Sequence, residues 1–235
     1  MKILYIYPHP DDESFGPAHA MSKQRRQKHE VYLLTLTKGG ATKQRFKYGY
    51  SIEEMGEVRY QEMQNVAKVL DLSGMKVLDL PDSGLKEMDP REIEKVIIKE
   101  IINIQPTVLV TYPVHGISGF PDHLVTHAVV KNAYLQLKEN VTYLKRLAFH
   151  TITEDESKQA DYFHLNGSKP EEIDCVVKVD KIDIENSLKA LDCYITFQET
   201  IEKTGIKQFI NNQVMFEIFQ ENHNPPLSDL FEMLN

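Results

Sequence analysis

The chain has 235 residues, about one and a half average domains, which is enough for a single large hydrophobic core. Residues of the AVILMFWYC set make up 41% and charged residues 26%, which excludes a disordered or collagen-like chain. A net charge of −8 excludes a global attraction for nucleic acid or an anionic membrane, while leaving room for a local basic patch.

Ile3 to Tyr7 is a short apolar run bounded by Pro8 and Pro10 and predicts a buried strand. Asp11-Asp12-Glu13 follow at once, so the opening does not read as a signal peptide. Ser14 through Gln27 predicts a helix, with Ser14 as N-cap and Pro17 in the first turn. Val31 to Thr37 predicts a second strand, ended by Lys38-Gly39-Gly40. The stretch 41–50 is polar and basic and reads as a loop, whose Lys43, Arg45 and Lys47 suit an anionic substrate or plain solvent. Ile52 to Leu72 carries helical periodicity. Val77 to Leu80 predicts a third strand, ended by Pro81. Pro90 opens a helix to Ile104, with Ile93, Ile97, Ile101 and Ile104 on one face. Thr107 to Tyr112 predicts a fourth strand, ended by Pro113, and a loop then leads to a helix from Asp122 to Leu137. Leu147–Ile152 and Cys175–Val179 predict later strands, with a polar loop over 155–172 between them. Ile184 to Glu202 predicts one further helix, and beyond Gly205 no pattern is clear.

Strands alternating with helices predict an α/β fold: a Rossmann-like three-layer sandwich with a mostly parallel central sheet. The domain expectation is a single unit over 1–235, with 205–235 as a C-terminal extension. No apolar run approaches the ~18 residues of a membrane span. Cys175 and Cys193 are too few for a disulfide framework and read as reduced thiols, so the expected compartment is the cytoplasm. A homo-oligomer is compatible with the sequence.

In such a sheet, ligands bind at the carboxyl ends of the strands. Pro8-His9-Pro10-Asp11-Asp12-Glu13 leaves the first strand there. Three acids packed at one strand tip repel one another unless a cation compensates. Gly116-Ile117-Ser118-Gly119-Phe120-Pro121-Asp122-His123 follows the fourth strand, and Asp122 suits a helix start with His123 in its first turn. His9, Asp12 and His123 thus offer two nitrogens and one oxygen, which with a water make an open tetrahedral zinc site. Without a thiolate, another divalent ion also suits the set. Taken singly, each residue has a bland reading: a solvated Asp-Asp turn, an N-cap, a surface histidine. Their concentration at the predicted strand ends is what points to a metal.

The first motif, followed much later by Pro121-Asp122-His123, resembles the PIG-L/LmbE-like family of zinc-dependent N-deacetylases. Gly56 to Glu62 is similar to that family's Arg-x-x-Glu helix, and Leu80-Pro81-Asp82-Ser83-Gly84 to its Asp-Ser-Gly loop. The resemblance implies zinc held by His9, Asp12 and His123, with Asp11 as general base. It implies Arg59 and Asp82 on the substrate's polar groups and Asp122 as a hydrogen-bonding support for the site. It further implies a zinc-bound water attacking the N-acetyl group of an N-acetylglucosamine-type substrate, with N-acetylglucosaminyl malate of the bacillithiol route as the specific candidate. The partner expected is therefore a small N-acetylated amino sugar, with no nucleic acid and no membrane.

One position departs from the pattern. Phe120 stands where the family has a histidine thought to steady the developing oxyanion, and phenylalanine donates no hydrogen bond. Ser118 stands where some relatives have a tyrosine, and His115 is the candidate substitute donor. His127, four residues after His123, can share its helix face but reads as an outer or surface residue. A sugar-binding relative without turnover is the alternative that Phe120 raises. A phospho-receiver is a weaker one, since it leaves His9 and His123 without a task and lacks a matching lysine.

Overall fold

Side-chain alternation along the first strand sets the architecture. Strand β1 (Lys2–Tyr7) sends Ile3, Tyr5 and Tyr7 into one core and Leu4 and Ile6 into another, so the sheet is buried on both faces. The computed structural model describes residues 1–234. Its other strands are β2 (Glu30–Thr37), β3 (Gly74–Leu80), β4 (Val108–Thr111), β5 (Arg146–Thr151), β6 (Cys175–Lys178) and β7 (Gln213–Ile218). The sheet order is β3-β2-β1-β4-β5-β7-β6. The pairs from β3 through β5 are parallel, and β7 runs antiparallel to both β5 and β6.

The helices are α1 (Asp12–Phe15), α2 (Ala18–Arg26), α3 (Arg45–Tyr48), α4 (Ile52–Val69), α5 (Pro90–Ile104), α6 (Pro121–Lys138), α7 (Glu154–Lys158), α8 (Lys181–Asp192) and α9 (Gln198–Thr204). One face of the sheet is covered by α2, α4 and α8, through residues such as Met21, Met63 and Leu191. The other is covered by α5 and α6, through Ile93, Ile97, Val130 and Ala133. This is the α/β three-layer sandwich that the alternation predicts. Helix α4 starts where Ser51 and Glu54 form a reciprocal capping box.

Several local expectations are corrected. The helix predicted over Ser14–Gln27 is two helices, because Gly16-Pro17 breaks the ladder. Ser14 lies inside α1 rather than capping it, and its hydroxyl donates to Glu13 Oε1 at 2.7 Å. The helix predicted over Ile184–Glu202 is interrupted between α8 and α9 by a short 3-10 turn, Ile195–Phe197. The loops read over 41–50 and 155–172 contain the short helices α3 and α7. Within 205–234 the structure forms β7, an interior strand of the sheet; Asn235 lies outside the described residues. The C-terminal segment is also tied down by Arg146. Its buried guanidinium donates to both Glu221 carboxylate oxygens and to the carbonyls of Leu230 and Glu232.

Candidate metal centre and active site

The strand order reverses at β1: β2 and β3 extend to one side, β4 and β5 to the other. A crevice outside the carboxyl ends is the usual result of such a reversal. Here β1 and β4 are hydrogen-bonded neighbours, with Tyr5 opposite Val110, so their tips lie side by side. The segment after β1 therefore meets the start of α6, where Phe120 is the N-cap and Pro121, Asp122 and His123 form the first turn.

His9, Asp12 and His123 converge there, each with a ligand atom within 4.8 Å of the others'. Asp12 Oδ2 is 3.6 Å from His9 Nδ1, and Asp12 Oδ1 is 3.4 Å from His123 Nε2. The remaining nitrogen of each imidazole is already engaged. His123 Nδ1 donates to the Gly116 carbonyl at 2.9 Å, which leaves Nε2 a lone pair aimed at Asp12. His9 Nε2 lies 3.2 Å from Asp122 Oδ2 and 3.4 Å from Asp82 Oδ1, which leaves Nδ1 to face Asp12. Asp122 also accepts from the Leu85 amide at 3.3 Å, and Asp82 from the Ala41 amide at 2.7 Å. The donor set and its outer hydrogen bonds fit a divalent cation, with no thiolate to favour a softer one.

Electrostatics agree with that fit. Burial works against charge on His9, but hydrogen bonds to Asp12 and Asp122 and the charge of Asp82 override it and push its pKa up to about 10. The site thus holds a positive charge at this point, and a proton and a metal ion compete for it. Burial opposes ionisation of Asp12 too, yet His123, His9 and Tyr112 outweigh it and hold the carboxyl down at about 2. Burial lowers the His123 pKa, which keeps its imidazole neutral and able to ligate.

Asp11 stands apart from this triad. Its backbone is left-handed, with φ 88°, a strained state for a residue other than glycine. Its Oδ2 accepts from Arg59 Nη2 at 2.6 Å. Arg59 rises from α4, is 3% exposed, and also donates to the carbonyls of Pro10 and Gly39, with its face against Phe197. A Cβ on Gly39, itself at φ +65°, would come within 2.5 Å of Arg59 Nη1, so this turn requires glycine. Burial raises the Asp11 pKa against the pull of Arg59, while Asp12 and Glu13 push it the same way, to about 7. A carboxylate poised there suits proton transfer near neutral pH.

These groups open into a cleft of about 610 Å³, a size that holds a small-molecule ligand. His9, Asp11, Asp12, Arg59, Asp82, Ser118 and His123 all line it. Ser118 Oγ lies 3.1 Å from His123 Nδ1 and accepts from the Phe120 amide at 3.3 Å. Phe120 lines the cleft with its ring 46% exposed and edge-on to His123, 5.5 Å away. His115 is not among the cleft-lining residues; its ring accepts from the Ile117 amide and faces Ser168 and Glu217. His127 is buried and turned away, with Nδ1 donating to the Tyr112 carbonyl.

Two contributors escaped the sequence reading. The Tyr112 hydroxyl donates to Asp12 Oδ1 at 2.7 Å, and its ring stacks on His123 at 4.1 Å. Its place at the end of the fourth strand was the only available signal. The Gly116 carbonyl, a backbone group, left none. Glu13, from the first motif, is fully buried and accepts from Ser14 and Tyr194 rather than lining the cleft.

A family model described as PIG-L, GlcNAc-PI de-N-acetylase, matches residues 4–134. Mycothiol S-conjugate amidase of Streptomyces coelicolor is 29% identical over 152 residues, covering 57% of this chain and 52% of that protein. A Bacillus subtilis protein named "Probable N-acetyl-alpha-D-glucosaminyl L-malate deacetylase 2" is 30% identical over 141 residues, covering 59% of this chain and 63% of that protein. The chain therefore spans between half and two thirds of the length of these two relatives. Among solved structures, a deacetylase of the teicoplanin biosynthesis pathway shares the fold with TM-score 0.74 at 13% identity, covering 94% of this chain and 99% of that one.

Proposed function

The chain belongs to the PIG-L GlcNAc-PI de-N-acetylase family, and from that premise we propose that it is a metal-dependent hydrolase removing the N-acetyl group of an N-acetylglucosamine-type substrate. The observation that carries this reading is the convergence of His9 and Asp12 with His123, each imidazole already oriented by its second nitrogen.

His9 Nδ1, Asp12 and His123 Nε2 would hold the ion, zinc by resemblance to the family. When bound, such an ion polarises the amide carbonyl and lowers the pKa of a water. Asp11 accepts a proton from the attacking water as its oxygen bonds to the acyl carbon. The carbon–nitrogen bond then breaks, and Asp11 returns the proton to the leaving nitrogen, giving acetate and a free amine. Arg59 steadies Asp11 through Nη2 and, lining the cleft, is also the cation placed for the substrate's polar groups. Asp122 and Asp82 orient His9, while Gly116 and Ser118 orient His123.

The finer reading of the substrate is N-acetylglucosaminyl malate, supported by Lys43 at the cleft, which offers a cation to carboxylates, and by the likeness to the Bacillus protein. Zinc content and amine release from N-acetylglucosaminides, measured on the native chain and on Asp11→Asn, test the proposal. Turnover that needs both zinc and Asp11 supports it; zinc loss on Asp11→Asn contradicts the division of roles. The exposed Phe120 ring, which donates no hydrogen bond, favours a second reading as a sugar-binding relative. Bound zinc without turnover across acetylated sugars selects that reading.

A further inference from the structure

The two sides of the cleft differ in chemistry, and the sheet order separates them. The triad sits at the tips of β1 and β4, in the middle of the order. On the β2/β3 side the lining is polar: Thr42, Lys43 and Gln44 follow β2, and Asp82 and Ser83 follow β3. On the β5/β7 side apolar residues predominate, with His150, Thr151, Glu156, Asn211 and Gln213 as the polar groups among them. Ile152 follows β5, Ile206, Phe209 and Ile210 precede β7, and Val214 and Met215 lie on β7 itself. Phe120 extends this wall toward the rim, meeting Phe163 edge to face at 5.8 Å, and Phe163 is 36% exposed. Exposed rings gathered beside a site mark a place for an apolar ligand.

An amide has two sides as well. Its nitrogen carries the amino sugar, rich in hydroxyls, and its carbonyl carries the acyl group. We propose that this cleft takes an N-acylated amino sugar whose acyl group is longer than acetyl, with the sugar on the β2/β3 side and the acyl chain on the β5/β7 side. The inference rests on the hydrolase reading above and deepens its substrate class. Acetyl leaves the apolar compartment unfilled; a medium-length aliphatic chain fills it and removes apolar surface from water. In the hydrolysis the water oxygen bonds to the acyl carbon and the carbon–nitrogen bond breaks. The proton taken from water goes to the amine, and a fatty carboxylate leaves. The sugar's other substituent, malate included, lies on the polar side and is unaffected by the choice of acyl group.

The test uses the full chain loaded with zinc and three probes: N-acetylglucosamine, N-octanoylglucosamine and octyl N-acetylglucosaminide. Free amine release is measured for each. A buried methylene strengthens binding about fourfold, so partial burial of the added chain raises kcat/KM about fiftyfold from acetyl to octanoyl. A flat or falling series overturns the proposal. So does a gain confined to octyl N-acetylglucosaminide, which places the chain on the amine side. If no probe releases amine, the hydrolase reading fails, and calorimetric binding of the same probes decides the compartment separately. N-octanoylglucosamine must then bind at least about tenfold tighter than N-acetylglucosamine, and equal affinity overturns the proposal. Ile210→Asp should cut the octanoyl-to-acetyl ratio by about tenfold or more; a folded variant with an unchanged ratio also overturns it. Should that variant fail to fold, the chain-length series on the unsubstituted protein decides alone.

Discussion

Asp11 Oδ2 lies 2.6 Å from Arg59 Nη2, a buried contact that joins the tip of β1 to the middle of α4. It fixes a strained aspartate beside the metal ligands without making it one. Arg59→Met removes the charge and leaves Asp11 buried with Asp12 and Glu13 near it. We expect stability to fall by about 3–5 kcal/mol, the usual cost of breaking a buried pair from one side. Chemical denaturation measures it, and a change below about 1 kcal/mol would contradict the structural role.

Asp11→Asn and Asp11→Ala should behave differently in one respect. Both remove the base and should lower kcat by about 10²–10⁴ while zinc content stays near that of the native chain. Asparagine tolerates the left-handed backbone at φ 88°, whereas alanine adds strain of about 1 kcal/mol. Metal analysis, turnover and denaturation on both variants check the two parts separately.

Asp122 acts through His9. Asp122→Asn weakens the hold on the His9 Nε2 hydrogen and should reduce zinc affinity about 10- to 100-fold. Chelator competition reads this directly. An unchanged affinity would show that Asp82 alone orients the ring.

His19 and His150 each contribute a loss of stability on mild acidification, opposed in sign by His9 and Asp11, whose raised pKa values favour the native state as pH falls. Burial lowers the His19 pKa to about 4, a backbone hydrogen bond to Gln213 only partly opposing it. Burial and the neighbouring His19 lower that of His150 to about 3. Above pH ~6.5 both are neutral in either state, so neither contributes a slope. Below it the unfolded chain binds two protons that the native chain does not. The pair then removes about 2–4 kcal/mol between pH 7 and pH 5. His150→Gln should roughly halve that loss in paired denaturation curves at the two pH values; an equal loss would overturn the assignment.

Arg146 ties the C-terminal segment to β5. Arg146→Ala should cost about 3 kcal/mol, the lower end for a buried pair because Glu221 retains some contact with water. Thermal denaturation together with proteolysis near the C-terminus would detect both the loss and where it begins.

The layered fold was legible because it follows from local patterning. Apolar runs such as Ile3–Tyr7 and the isoleucine face of α5 specify buried strands and covering helices wherever they occur. The breaks were less legible. Gly16-Pro17 splits one predicted helix, and β7 is a strand whose signal, Val214, Phe216 and Ile218 alternating inward, spans only six residues between irregular segments. Which strands it pairs with, β5 and β6, is set by partners far along the chain.

The types of ligand, imidazole and carboxylate, were readable in Pro8–Glu13 and Pro121–His123, because donor chemistry is a property of the side chain itself. The places of Arg59 and His115 were not. Arg59 lines the cleft with Nη2 held by Asp11, and His115 turns toward Ser168, because orientation depends on neighbours that only folding supplies. The sequence by itself determined the α/β layering and the donors available. The tertiary structure alone decided that β1 and β4 lie side by side, that Tyr112 and the Gly116 carbonyl orient the donors, and that apolar residues predominate on one side of the cleft. Those facts depend on contacts between segments distant in the chain, which no local pattern encodes.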